Sequence, residues 1–315
     1  MEQLRAAVIG VGYFGSRHVD KLARLPGLKL DYVVDADRAR AEGIASKAGA
    51  RATTDFREVL GKVDLATIAV PTQAHAEVAA ALLDAGIHCL VEKPLTATLD
   101  EADRVVGLAA AKGLVLRVGH LERFNPALVA VRDRITAPRF MECHRLAPFK
   151  PRGTDVDVVL DLMIHDLDII LSLVDAPVAE VRANGVPVLT GGIDIANARI
   201  EFANGCVANV TASRVSAKSM RKLRVFQPDC YVSIDFQDRT VDLARADPSA
   251  TGGLIPGITL GHDEFPEGDS LEAELGAFVE AVRGRDRPAA TGQDARRALE
   301  LALAICHRIR GDAPK

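Results

Sequence analysis

A short apolar run, residues 4–9, leads into Gly10-Val11-Gly12-Tyr13-Phe14-Gly15, and residues 16–25 behind it read as a helix. Few local patterns constrain a fold more. In a strand, glycine loop and helix unit, the first glycine permits a tight turn and the second lets a pyrophosphate approach the backbone. The third lets the helix pack closely on the strand. The helix N-terminus then offers unpaired N–H groups and partial positive charge to the phosphates. A glycine loop alone is a weak signal, since glycines also make ligand-free turns. Here a second strand, residues 30–34, ends in Asp35, about twenty residues beyond the loop as a dinucleotide site requires. A carboxylate there binds both adenosine ribose hydroxyls and repels a 2′-phosphate, so NAD is expected over NADP. Arg38 stands close enough to blunt that preference.

The pattern continues as strand and helix in alternation. Residues 6–9, 30–34, 65–70, 88–91 and 115–118 read as strands, and helical stretches such as 75–85 lie between them. Such alternation implies a parallel, doubly wound sheet. Glu92-Lys93-Pro94 follows the strand 88–91. Lys93 therefore falls at the carboxyl edge of the sheet, where ligands of open α/β sheets bind. Most lysines are solvated surface charges; the position of this one sets it apart.

After about residue 120 the character changes. Residues 139–147, 178–184, 193–202, 206–213, 222–226 and 231–236 read as strands with partial alternation, and Asn204-Gly205 is a hairpin signal. Residues 122–135, 156–174, 270–284 and 292–310 read as helices, and 247–267, rich in glycine and proline, as a loop. The expected organisation is a Rossmann-type nucleotide-binding domain over 1–120 and an α+β domain with a large, mostly antiparallel open sheet over 121–315.

Residues 156–174 are largely aliphatic, and Asp157, Asp161, His165, Asp168 and Ser172 recur every three or four positions, on one helical face. Asp161 and His165 are one turn apart, so the carboxylate can orient the imidazole and stabilise its protonated form, as a general base needs. A solvated face of a surface helix is the plainer reading. Asp and His at that spacing can also ligate zinc, but no further ligand cluster is evident and no metal is expected.

Composition narrows the class. The 315 residues carry a net charge of −4 with no extended basic block, which argues against a nucleic-acid partner. No apolar stretch is long enough to span a bilayer. Five dispersed cysteines without CxxC spacing suit reduced thiols, and a cytoplasmic location is expected.

Taken together these residues resemble the family of glucose-fructose oxidoreductase, inositol dehydrogenase and rhizopine catabolism proteins. The likeness runs over nearly the whole chain and is densest in 7–15, from Ala69-Val70-Pro71 to Glu92-Lys93-Pro94, and in 161–168. It implies NAD(P)-dependent hydride transfer at a sugar hydroxyl carbon, with the cofactor between two domains and the substrate against the open sheet. By the same likeness Lys93 sits near the reacting oxygen, His165 is the acid or base, and Asp161 is its carboxylate partner. Pro71, Thr72 and His75 line the nicotinamide side, and Glu92 lies beside the cofactor. Val158 and Val159 stand where many members have a glycine pair. Some members use a tyrosine for the histidine, but Tyr13, Tyr32 and Tyr231 all lie outside this segment.

Gly119-His120-Leu121-Glu122-Arg123-Phe124-Asn125-Pro126 is similar to segments of the nucleotide-sugar branch, notably the UDP-N-acetylglucosamine 3-dehydrogenases. This places Arg123 and Asn125 at the substrate with Lys93, Asp161 and His165. Arg214, Lys218, Arg221 and Lys222 can meet a diphosphate, or form a solvated loop or subunit contact. Family members are commonly dimers or tetramers, so a homodimer or homotetramer is expected. Two other readings stay open: a cofactor-sensing binding protein without catalysis, and an imine or biliverdin-type reductase on a similar frame.

Overall fold

The computed structural model describes residues 3–150, 156–250, 255–285 and 289–311. The first half runs β1 (Leu4–Ile9), α1 (Tyr13–Leu22), β2 (Leu28–Val34), α2 (Arg38–Ala48), β3 (Arg51–Thr53), β4 (Leu65–Ile68), α3 (Thr72–Asp84), β5 (His88–Glu92), α4 (Leu99–Lys112) and β6 (Leu116–Gly119). The second runs α5 (Pro126–Val131), β7 (Phe140–Leu146), α6 (Ile164–Leu173), β8 (Val178–Val186), β9 (Ile195–Phe202), β10 (Val207–Ser213), β11 (Met220–Gln227), β12 (Cys230–Asp235), β13 (Thr240–Ala246), β14 (Ile258–Glu264), α7 (Ser270–Val282) and α8 (Gly292–Arg310).

The first unit holds residues 1–121 and 269–296. Its six strands are all parallel, in the order β3-β2-β1-β4-β5-β6. That order reverses between β1 and β4, the switch point of a doubly wound fold. The strands are buried on both faces, so they read as unbroken apolar runs such as Ala6-Ala7-Val8-Ile9. Val19 and Leu22 of α1 pack with Leu30 and Val33, and Leu275, Phe278 and Val279 of α7 complete that core. Helix α4 begins with a capping box between Thr98 and Glu101. The chain therefore does not divide at one point near 120, because α7 and the start of α8 return to the first unit.

The second unit holds 122–268 and 297–315. Its eight strands run β14-β13-β12-β11-β7-β10-β9-β8, antiparallel except for β7 and β10. One face packs on α6 and α8: Met141 and Cys143 meet Ile164, Leu167, Ala302 and Ile305 in one buried cluster. The Asn204-Gly205 hairpin joins β9 to β10, with Gly205 at φ 81.

Several elements differ from the sequence expectation. Helix α1 starts at Tyr13 rather than 16, since Gly12 already serves as its extended N-cap. Strand β3 has three residues, too few to show a pattern. The helix expected over 122–135 is broken. Pro126 disfavours helical geometry at Asn125, leaving a 3₁₀ turn (Leu121–Phe124), α5, and a second 3₁₀ turn (Arg132–Arg134). Part of the loop expected over 247–267 is β14, an edge strand paired to β13; residues 251–254 lie outside the described residues. Its Ile-Thr-Leu-Gly-His-Asp-Glu sequence lacks alternation because nearly all of it is exposed.

The turn between β8 and β9 is organised by Asp194, which is fully buried. It accepts from the N–H groups of Val188, Leu189 and Thr190 at 2.8, 2.6 and 2.8 Å, and from the Thr190 hydroxyl at 2.6 Å. Burial pushes its pKa up, but these donors outweigh it and hold the carboxyl far below its ordinary value. A depressed carboxyl contributes stability above its unfolded pKa and loses it as pH falls towards the folded one. Asp194→Asn should therefore cost about 2 kcal/mol at neutral pH, and the cost should shrink below the ordinary value of 3.8. Denaturant unfolding of both proteins at neutral and acid pH measures this; an equal cost at both would deny the ionised carboxylate its role.

Candidate functional site

Parallel strands place their carboxyl ends on one edge, and most of the cofactor residues expected from sequence meet there. Gly10 has φ +82, and a Cβ on it would lie 2.7 Å from backbone atoms of Ala69 and Val70. A Cβ on Gly15 would lie well inside the Gly10 carbonyl oxygen, so only glycine lets α1 come this close to β1. Gly12 is different: a Cβ there meets nothing within 4 Å. The middle glycine thus opens outward, and as the N-cap of α1 it brings no side-chain hydrogen bond to the first turn. This is the cradle a dinucleotide's phosphates need, and the residues present fit NAD. Tyr13 and Phe14 flank the cradle, both exposed, edge to face at 5.4 Å, with Arg17 stacked 4.5 Å from the Tyr13 ring.

Asp35 follows β2 on the same edge. It accepts from Val11 N–H and Asp37 N–H, each at 2.9 Å. Arg40 Nη1 reaches its two oxygens at 3.2 and 3.4 Å. Arg38, the expected neighbour, instead lies 3.5 Å from Glu42 and is well exposed. The first turn of α2 brings residue 40, rather than 38, round to the Asp35 carboxylate.

At the ends of β4 and β5, Pro71 and Thr72 open α3. His75 is buried, its ring nitrogens 2.9 Å from the Val70 and Pro94 carbonyl oxygens. It ties the two strand-end loops together, a positioning place rather than a surface lining one. Glu92 and Lys93 are half-buried, and the Lys93–Pro94 peptide is cis. Glu92 Oε1 lies 3.0 Å from Nε2 of His18, a fully buried residue of α1. Burial pushes the Glu92 carboxyl up, but His18 and the neighbouring Lys93 hold it below its ordinary value. His18 was not singled out from sequence. Its signal was a histidine at an apolar position, in line with Gly15, Val19 and Leu22 on the buried face of α1.

In the second unit the expected polar stripe is interrupted. Val159–Met163 is a π-helical turn, and regular helix begins only at Ile164. Asp157 precedes both and is tied to Ile193 N–H and Arg310. Asp168 is buried in a two-pronged bond with Arg123, both contacts 2.7 Å. Asp166, off the stripe, makes the same kind of pair with buried Arg145 at 2.9 Å, and Arg145 also reaches Glu122 at 2.8 Å. Asp161 and His165 are half-buried at the junction of the π turn and α6.

Arg123 and Asn125, expected at the substrate, both have partners within the fold. Asn125 is buried; it caps α5 through Ala127 N–H and donates to the Phe236 carbonyl and to Glu122. The guanidinium of Arg123 braces Asp168. The basic run also scatters. Arg214 is buried and donates to the Val156 carbonyl, while Arg221 stands 3.6 Å from Glu122.

The glycine geometry separates folding from binding. Gly12→Ala should leave the unliganded stability within about 0.5 kcal/mol and weaken dinucleotide binding about tenfold by crowding the phosphates. Gly15→Ala should lower stability by about 1–3 kcal/mol. Thermal unfolding and calorimetric titration with NAD check both. A Gly12→Ala protein that binds NAD unimpaired would move the phosphates elsewhere.

Comparison with known proteins agrees with this geometry. Residues 4–120 match the oxidoreductase family with an NAD-binding Rossmann fold, and 133–230 match the GFO/IDH/MocA C-terminal domain. The chain is 39% identical over 306 residues to UDP-N-acetylglucosamine 3-dehydrogenase of Acidithiobacillus ferrooxidans, covering 97% of each chain. The solved structure of that enzyme superposes with a TM-score of 0.91 at 38% identity, covering 99% of both. The chain is also 29% identical to the scyllo-inositol 2-dehydrogenase (NAD(+)) of Bacillus subtilis, over 99% of this chain and 96% of that one. Levoglucosan dehydrogenase, solved with NADH and levoglucosan, shares the fold at a TM-score of 0.88 and 19% identity. Residues 4–120, with a glycine cradle open at Gly12, a carboxylate after β2 and a lysine after β5, match the NAD-binding Rossmann fold of the Gfo/Idh/MocA oxidoreductase family, to which this chain belongs.

Proposed function

We propose that the protein is an NAD-dependent dehydrogenase of a nucleotide sugar, oxidising the 3-hydroxyl of UDP-N-acetylglucosamine to a ketone. The observation that carries this reading is the 39% identity over 97% of both chains, which spans both units and not the nucleotide-binding one alone. NAD, when bound, supplies the acceptor for the hydrogen and electron pair leaving the carbinol carbon. Lys93 donates a hydrogen bond to the sugar oxygen and stabilises the negative charge developing there. His165 takes the hydroxyl proton, and Asp161, one turn earlier, orients the ring and offsets the charge it gains. Glu92, ionised and braced by His18, holds the Lys93 ammonium in place through its charge. Gly10, Gly12, Tyr13, Phe14, Gly15 and Asp35 bind the cofactor, with Pro71 and Thr72 towards its nicotinamide end and His75 fixing their loop.

The open face of the eight-stranded sheet supports self-association, as a homodimer or homotetramer. Register aligns Leu260, Ala244, Tyr231, Phe226, Phe140 and Val207 in one row across six strands. Leu260 is 61% exposed, so covering this row removes apolar surface from water. Among the described residues no helix is long and apolar enough to cross a membrane, and the five free cysteines suit a cytoplasmic location.

Mixing purified protein with NAD and UDP-N-acetylglucosamine should raise absorbance at the reduced-nicotinamide band. Lys93→Met should lower turnover by at least about 10²-fold with NAD affinity nearly intact, and His165→Asn by about 10²- to 10⁴-fold. Unchanged turnover in either removes that residue from the mechanism. Bound cofactor with no sugar oxidised would favour a sensor. Oxidation of reduced cofactor by keto or imino compounds alone would favour a reductase of another class. Light scattering should give a multiple of the 33.6 kDa chain, reduced by Phe226→Asp; a wild-type monomer would sink the self-association.

A further inference from the structure

The edge of a β-sheet presents a row of unpaired N–H and C=O groups, and proteins blunt it with short strands, proline, bulges or covering segments. Three of the four sheet edges here are managed in these ways. Strand β3 has three residues. Along β6, Val118 N–H donates to the Ala290 carbonyl, and Arg117 bridges to Thr291. Strand β8 lies between Pro177 and Pro187 and carries an irregularity between Val178 and Glu180. Strand β14 has none of these devices. It runs for seven exposed or half-exposed residues without lysine or proline, and it pairs with β13 in one unbroken register.

Both ends of β14 are pinned. The Gly257 carbonyl accepts from Asp247 N–H, and Phe265 N–H donates to the Arg239 carbonyl, each at 2.9 Å. Nη1 of Arg239 also donates to the Pro266 and Gly268 carbonyls at 3.2 and 2.8 Å. These bonds fix which way the backbone faces. Its direction alternates along a strand, so residues 257, 259, 261, 263 and 265 turn to β13. Ile258, Leu260, His262 and Glu264 turn their N–H and C=O groups outward. Among the described residues one of these groups is met, Ile258 N–H, which donates to the Ile255 carbonyl at 3.3 Å.

A second copy of β14 matches this pattern. Set antiparallel about a two-fold axis at Gly261, Leu260 of each copy stands opposite His262 of the other, and Ile258 opposite Glu264. Both members of each pair point outward, as a hydrogen-bonded pair requires. Gly261 meets Gly261 at the non-bonded position between them. This register uses the whole strand, Ile258–Glu264. It also sets the acidic end, Asp263 and Glu264, against uncharged Thr259 and Ile258. Centring the axis on His262 would instead put two histidines face to face and leave Ile258 opposite no strand residue.

We propose that the β14 edges of two copies pair in this register, joining two eight-stranded sheets into one. The contact is separate from the covering of the open face. Each copy can make both, which is what a homotetramer with two kinds of two-fold interface requires.

Light scattering and oxidative cross-linking test the pairing. Proline is tolerated on an edge where its missing N–H faces solvent. His262→Pro should therefore keep the far-ultraviolet circular dichroism of the wild type and lower the particle mass about twofold. Gly261→Cys should form a disulfide between copies under mild oxidation, because opposed non-bonded positions lie about 4.5 Å apart at Cα, within disulfide reach. A Cβ at Gly261 meets only Leu243 Cβ, at 3.9 Å, so the cysteine fits. Asp263→Cys would stand about 14 Å from its counterpart and should not cross-link. The native cysteines, four of them buried, set the background. A wild-type monomer, a mass unmoved by His262→Pro, or cross-linking no stronger at 261 than at 263 would overturn the pairing. A mass lowered by Phe226→Asp but not by His262→Pro would leave the open-face contact standing and sink this one alone. If His262→Pro fails to fold, the two cysteine variants decide.

Discussion

The close approach of α1 to β1 is the contact on which the carboxyl edge of the parallel sheet depends. Gly15 permits it, because any Cβ there would occupy the Gly10 carbonyl. Its consequences travel along the helix. One turn on, His18 is buried deeply enough to reach Glu92 across 74 residues of sequence. Glu92 in turn needs room on its other side, and β6 supplies it: a Cβ on Gly119 would lie 2.9 Å from the Glu92 carboxylate. Two glycines, Gly15 of α1 and Gly119 of β6, thus let a half-buried carboxylate sit beside Lys93. A buried carboxylate without such partners would lose its charge; with them it is held ionised, and an ammonium next to it is held by that charge.

The second unit solves a similar positioning problem with ion pairs. Asp166 and Asp168 are two residues apart on α6, so they point to nearly opposite sides of the helix. Arg145 of β7 takes one and Arg123, before α5, takes the other. Rotating α6 about its axis would strand a buried charge on one side or the other, a cost of about 3–5 kcal/mol. The π turn just before α6 adds a residue to the preceding turn and resets the face that follows. The half-buried setting of Asp161 and His165 is therefore dictated by residues that take no part in the proposed chemistry.

Much of this was legible because it is local. The glycine loop, Asp35, the Glu92-Lys93-Pro94 turn, the Asn204-Gly205 hairpin and helices α7 and α8 are each specified within a short window. What was hidden depends on distance or on register. No sequence rule pairs His18 with Glu92, or returns residues 269–296 to the first unit. The stripe from Asp157 to Ser172 assumed one uninterrupted helix, and the π turn breaks that assumption. The resemblance of residues 119–126 to the nucleotide-sugar branch puts Asn125 and Arg123 at the substrate, but it does not reveal their bonds within the fold to Phe236, Glu122 and Asp168. Asp166 did carry a signal, an acid on an otherwise aliphatic face, which implies a buried cation somewhere.

The basic run shows how strand geometry limits what neighbouring residues can do together. Successive side chains of a strand point to opposite faces. In β11, Leu223 and Val225 are buried in the core, so Arg221 shares their face, with Glu122 at 3.6 Å. Lys222 lies on the open face, registered between Asp235 and His144. Arg214 is already bound to a backbone carbonyl. A diphosphate meeting this strand can therefore touch Arg221 or Lys222 but not both. On the Arg221 side it would have to share the guanidinium with Glu122, whereas on the Lys222 side it would compete with the surface that self-association would cover. The two faces of one strand thus hold the two readings of this run, substrate contact and subunit contact, and each basic residue can serve only the reading its own face allows.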